Sequence, residues 1–135
     1  MAGKSQYFSD KVLGVLKGVA LSGVTPYVSL HQSGVPASDD SSPTTELIGN
    51  GYARQVVTFG AVSTDADGHT RKIANTSTPT FGPATADWSQ AVYFGIYDAV
   101  SGGNYLYGGT LTVPKTVQNG DSAQYAVGAL VVEED

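Results

Sequence analysis

Two spacings of hydrophobic residues divide the chain. Near the start, Phe8, Val12, Leu16, Val19 and Ala20 recur at three- and four-residue intervals, which predicts one short amphipathic helix capped by Ser9 or Asp10 and ended by Gly23. Gly14 and Gly18 fall inside it, and each costs about 1 kcal/mol relative to alanine, so the helix depends on docking for its stability. It either covers one end of the body or serves as an arm that grips a neighbour. From Pro26 the period becomes two. In PYVSLHQ, Tyr27, Ser29 and His31 alternate with Val28 and Leu30, the pattern of a half-buried strand. The expected division is therefore an arm over 1–25 and a β domain over 26–135.

The rest of the chain keeps the β pattern. Ser33–Pro43 is rich in Ser, Pro and Asp and reads as a long surface loop. Asn50-Gly51 turns the chain into a strand over Tyr52–Phe59, with Ala53, Gln55, Val57 and Phe59 expected on one face and Tyr52, Arg54, Val56 and Thr58 on the other. Asp67-Gly68 predicts a hairpin between 61–64 and 70–74, whose outer strand carries Arg71 and Lys72. Pro79–Trp88 is expected as a loop. After Asn119-Gly120-Asp121 comes a last strand, Ala123–Val132, and then Glu133-Glu134-Asp135 as a solvated acidic tail.

The strongest pattern is Ala91–Pro114. Two runs dense in Tyr, Phe, Ile, Leu and Val flank Ser101-Gly102-Gly103-Asn104, so strand, turn and strand are expected. Asp98 is the one charge in this hairpin, and at least one face of it must be covered by the body or by another molecule. About seven or eight short strands at spacings of roughly 8–15 residues predict an all-β fold, a jelly-roll-like β-sandwich with a short N-terminal α-helix.

Composition narrows the function. Charged residues make up 14% of the 135 residues and glycines number 17, a balance suited to a β protein with close contacts. A net charge of −5 with only seven scattered Lys and Arg argues against nucleic acid as a partner. The chain has no cysteine, which excludes thiol chemistry and cysteine metal sites. Lys17 interrupts the apolar run VLGVLKGVAL, so a secretory signal is not expected, and no run is long enough to span a membrane.

Candidate chemistry is sparse. His31 and His69 are the only histidines and neither sits in a metal-ligand spacing. His31 reads as a satisfied or exposed strand residue. Asp65-Ala66-Asp67-Gly68 resembles the middle of a calcium loop, but the twelfth position would be Ala74, which supplies no carboxylate, so the turn reading is preferred. Asp98 reads as a turn acid that accepts backbone N–H bonds. Trp88 reads as a packing residue, with sugar stacking as the rarer role. A glycosidase pair could converge from distant strands, but glutamates occur only at 46, 133 and 134, two of them at the end of the sequence, which disfavours it. No active site, metal or cofactor is expected.

Several segments together resemble a family of small tailed-bacteriophage virion proteins, labelled head decoration or tail fibre proteins. They are Pro26-Tyr27-Val28-Ser29-Leu30-His31, the run Gly51–Ala61, Trp88 with Phe94-Gly95-Ile96-Tyr97-Asp98-Ala99, Ser101–Tyr107, Leu111–Val117, Gly120-Asp121 and Gly128-Ala129-Leu130. The resemblance implies a compact β-sandwich used in virion assembly, without catalysis. The first expectation is a capsid decoration, or cement, protein that binds the major capsid protein on the outer shell and stabilises it. The alternative is a tail fibre or appendage that binds a host-surface glycan. Either way the expected location is the virion, assembled in the host bacterial cytoplasm, and the expected assembly is a homo-oligomer, a trimer before a dimer. Candidate contact residues are Tyr7, Phe8, Val12 and Leu16 on the arm, with Trp88, Tyr93, Tyr97, Tyr105 and Tyr107 on the body.

Overall fold

A computed structural model of the chain describes residues 3–32 and 45–134. The expected Ser33–Pro43 loop and the last tail residue, Asp135, lie outside the described residues. The fold is all-β and sandwich-like, with one short helix near the N-terminus. Strand β1 (Gly3–Lys4) leads into α1 (Gln6–Val15), followed by β2 (Tyr27–His31), β3 (Gln55–Val56), β4 (Ser63–Thr64) and β5 (Arg71–Ala74). Then come β6 (Thr80–Phe81), β7 (Ala91–Tyr97), β8 (Tyr105–Lys115), β9 (Ala123–Gln124) and β10 (Val131–Glu134). They form a sheet in the order β1-β8-β7-β2-β3, a second in the order β10-β5-β4, and the pair β6-β9. All pairings are antiparallel.

The hairpin β7–β8 lies at the centre, as its apolar density predicts. Its register runs from Tyr97 opposite Tyr105 to Tyr93 opposite Thr110, and then a single residue, Val92, stands opposite the four residues 111–114 before Ala91 meets Lys115. Strand β8 therefore bows away from its partner over that stretch. Strand β2 pairs along the whole of its length with β7. It is not half-buried: Val28, Ser29, Leu30 and His31 are all enclosed. Val28 and Leu30 join Phe81, Phe94, Ile96, Leu106 and Leu130 in the main core, while Ser29 and His31 pack beneath the hairpin on the other face.

Gly95 makes that second layer possible. A Cβ there would stand 2.7 Å from Ser29 Oγ, 2.9 Å from His31 Nε2 and 2.9 Å from Tyr105 Cε1. Gly95→Ala is expected to destabilise the fold by about 1–3 kcal/mol through overpacking, read as a lower denaturant midpoint with an unchanged slope. A loss below ~0.5 kcal/mol would show that the layer is loosely packed.

Other expectations are corrected. The helix cap is Ser5, neither Ser9 nor Asp10, because the fully buried Ser5 hydroxyl accepts from the Phe8 amide at 3.1 Å. The helix stops at Val15, and Gly18 at φ 84° makes the turn assigned to Gly23. Strand Tyr52–Phe59 is laddered only at Gln55–Val56, and its faces do not alternate as expected, since Tyr52 and Val57 both reach the core while Val56 is exposed. The Asp67-Gly68 hairpin forms, but the strand with Arg71 and Lys72 is central, because β10 covers its other edge. The expected loop 79–88 contains β6, paired with β9, and the expected last strand is broken between β9 and β10. Glu133 and Glu134 belong to β10; Glu133 is exposed to solvent as expected, while Glu134 is tied to Lys4 and Tyr107.

Candidate functional site

The densest polar cluster joins the hairpin tip to the segment that follows Thr45. Arg54 leaves the Asn50-Gly51 turn region with its side chain only 9% exposed. Its Nε donates to Glu46 Oε2 at 2.9 Å and its Nη2 to Glu46 Oε1 at 2.9 Å, a two-bond fork. Its Nη1 donates to the carbonyls of Ala99 at 3.0 Å and Gly102 at 2.7 Å, and the guanidinium lies 3.5 Å from the centre of the Tyr97 ring. Tyr52 adds its hydroxyl to Glu46 Oε2 at 2.6 Å and accepts from the Leu30 amide. Burial pushes the Glu46 carboxyl up, but the bonds from Arg54 and Tyr52 outweigh it and hold it below the usual range. Burial and the Glu46 contact push the Tyr52 hydroxyl far up.

His31 lies against this cluster. Its Nε2 is 2.8 Å from Ser29 Oγ and its Nδ1 is 3.4 Å from Thr45 Oγ1, with Tyr97 stacked on one side and Tyr105 edge-on. Burial lowers its pKa to about 4, only partly offset by Glu46. A serine beside a histidine is the geometry of an activated nucleophile. Here both are at most 1% exposed and the space above them is filled by the hairpin, so the pair holds the layer together and meets no substrate.

The remaining predicted acids act locally. Asp98 accepts from the Asn104 amide at 2.7 Å and from its side chain at 3.0 Å, closing the hairpin turn as expected. Burial raises its carboxyl and the Asn104 bonds outweigh that, so it stays below the usual range. Asp67 closes its own turn through the amides of His69 and Thr70. Among the described residues no group of acids and histidines is placed to hold a metal ion.

The candidate contact residues separate into two groups. Trp88, Tyr97 and Tyr105 are buried, and the Trp88 Nε1 donates to the Asn50 carbonyl at 2.8 Å. Tyr93 and Tyr107 are half-buried, and Tyr107 donates to Glu134, which also receives Lys4 Nζ at 2.7 Å. On the arm, Tyr7 and Phe8 pack on the core, with Phe8 edge-on to Tyr107. Val12 is 37% exposed and Leu16 85% exposed. With Leu13, Val15, Val19, Leu21 and Val24 they leave an apolar row open to solvent, and α1 has no buried residue.

A β body with a short apolar arm, built around packing and without an open catalytic cluster among the described residues, is the setting for the comparison with known proteins. Residues 3–133 match the family described as podophage GP4 fiber I protein gp80. The chain belongs to this family. It is thus a bacteriophage virion structural protein. No curated protein matches it. Sequence reasoning missed Glu46 and Arg54 as a pair. Their signal was faint: an isolated acid and an isolated base on either side of Asn50-Gly51, in a chain poor in charge.

Proposed function

We propose that the protein is a fibre component of a podophage virion, joined to its neighbours through the N-terminal arm. The observation that carries this reading is the apolar row on that arm, where Leu13 is 60%, Leu16 85% and Val19 56% exposed. So many exposed large apolar side chains within one short segment are the kind of surface that meets another molecule. The family description favours fibre over head decoration. The role requires no catalytic step. Glycan stacking on Trp88, Tyr97 or Tyr105 would need those rings out of the core, and the half-buried Tyr93 and Tyr107 present only part of a ring, which favours assembly over glycan binding.

Gold-labelled antibody raised against the chain is expected to mark tail appendages on intact virions. Label spread over the shell would overturn the fibre placement and favour a decoration protein bound to the major capsid protein. The double variant Leu13→Asp, Leu16→Asp changes exposed positions, so its chain should keep the wild-type fold by circular dichroism, with any fall in melting temperature limited to the loss of trimer contacts. Its incorporation into virions is expected to fall at least about tenfold, as polar groups are forced into an apolar contact. In sedimentation the wild type is expected as a trimer, and the variant as a monomer. Normal incorporation of the variant would end the role of the arm.

A further inference from the structure

A groove of about 390 Å³ runs between the bowed part of β8 and the segment that links β9 to β10. Leu111, Val113 and Lys115 line one wall, and Tyr125, Ala129 and Val131 line the other. Val113, 70% exposed, and Val127, 61% exposed, stand near its two sides. Three observations show that it is unfinished. Residues 111–114 face only Val92 of β7, and on its other side β8 pairs solely with β1 at Tyr107 and Gly108, so among the described residues the peptide groups of this stretch lack a ladder partner. Tyr125 is 7% exposed and its hydroxyl is buried with no hydrogen-bond partner among the described residues. Lys115 makes no ion pair among the described residues, and its ammonium stands 5.8 Å from the centre of the Tyr125 ring.

Unladdered peptide groups call for another backbone, and a phenol donor beside an unpaired cation calls for an anionic acceptor. We propose that this groove seats an extended acidic segment of a neighbouring virion polypeptide, with a carboxylate that accepts from both Tyr125 and Lys115. The incoming carboxylate draws the ammonium off the ring and completes the hydroxyl, which stands otherwise as an unsatisfied buried donor. Pro114 lacks an N–H, so at that position β8 offers an incoming backbone only its carbonyl. The inference rests on the chain being a virion component and holds whether that component sits in the fibre or in the head.

The test uses virions that carry the photo-crosslinking amino acid p-benzoylphenylalanine in place of Val113, with Val62 replaced likewise in a control. Irradiation is expected to join position 113 to a second polypeptide, at a peptide containing Asp or Glu, well above the control. Links within the chain alone, or none, would overturn the proposal. Tyr125→Phe separates this role from packing. Loss of an unpartnered hydroxyl should leave the melting temperature of the free protein equal or raise it by a few degrees. Incorporation into virions should nevertheless fall about fivefold or more. If Tyr125→Phe virions incorporate the protein as wild type does, the hydroxyl takes no part in the contact and the groove is not the seat. A crosslink to a head protein would sink the fibre placement and leave the groove standing.

Discussion

Arg54→Ala is expected to destabilise the protein by about 3–5 kcal/mol, because it leaves the Glu46 carboxylate enclosed without its cation. The two side chains are 9% and 19% exposed, so solvent screens the pair far less than a surface bridge. The same substitution removes the donors to Ala99 and Gly102 and the cation from the face of Tyr97. The hairpin tip should therefore loosen, and amides near residues 99–103 should lose protection against hydrogen exchange beyond the global change. Arg54→Lys keeps the charge but loses the planar fork, and should recover only part of the loss. Chemical denaturation of the three proteins measures this. A loss below ~1 kcal/mol for Arg54→Ala would mean that water replaces the guanidinium without strain.

The second large effect is acid lability centred on His31. Its ordinary value is 6.5 and burial brings it to about 4 in the folded chain, so the folded state holds the ring neutral where the unfolded state protonates. Stability is complete above pH 6.5 and falls as pH drops from 6.5 toward about 4. The total is about 3 kcal/mol, with a steepest slope near 1.4 kcal/mol per pH unit for one proton. Below that window the slope from His31 vanishes, because both states carry the proton. The groups that face the ring are Ser29, Thr45, Tyr97, Tyr105, Glu46 and Arg54. Glu46, Asp98 and Glu134 have carboxyls held below their usual range, and they add a separate loss as pH falls through their folded values. Denaturant midpoints measured between pH 7 and 4 should show the His31 phase, and His31→Asn should remove it while lowering stability throughout. A wild-type profile flat from pH 6.5 to 4.5 would show that the folded ring titrates at its ordinary value.

These two effects arise from positions that the sequence made visible to very different degrees. His31 was recognisable as a strand residue by its alternation with Leu30, and its enclosure follows once β2 is known to lie beside β7. Glu46 and Arg54 had no pattern of their own. They meet because the Asn50-Gly51 turn folds their segments together and the hairpin tip comes down on both. The arm shows the same division. Apolar spacing identified a helix there, but the cap is Ser5, since that hydroxyl is held inside by the bond from the Ser5 amide to the Leu106 carbonyl. The Tyr125 groove had no local signal at all, as its walls are about ten residues apart along the chain and become a groove only when β8 bows.

By itself the amino-acid sequence determined the all-β class, a short helix near the N-terminus, the central hairpin with Asp98 as its turn acid, the Asp67-Gly68 turn and the virion family. The family rests on a resemblance spread over most of the chain, whereas the others depend on periodicity or turn chemistry within a few residues, where local sterics and hydrogen bonding decide the conformation. Tertiary structure alone decided that both faces of β2 are enclosed, that β5 is central, and that Glu134 is tied to Lys4 and Tyr107. It also decided that Trp88, Tyr97 and Tyr105 lie within the body while Leu13 and Leu16 do not. The reason is physical: period-two alternation tells which residues share a face, but whether that face meets water, another strand or another chain depends on segments far away in sequence.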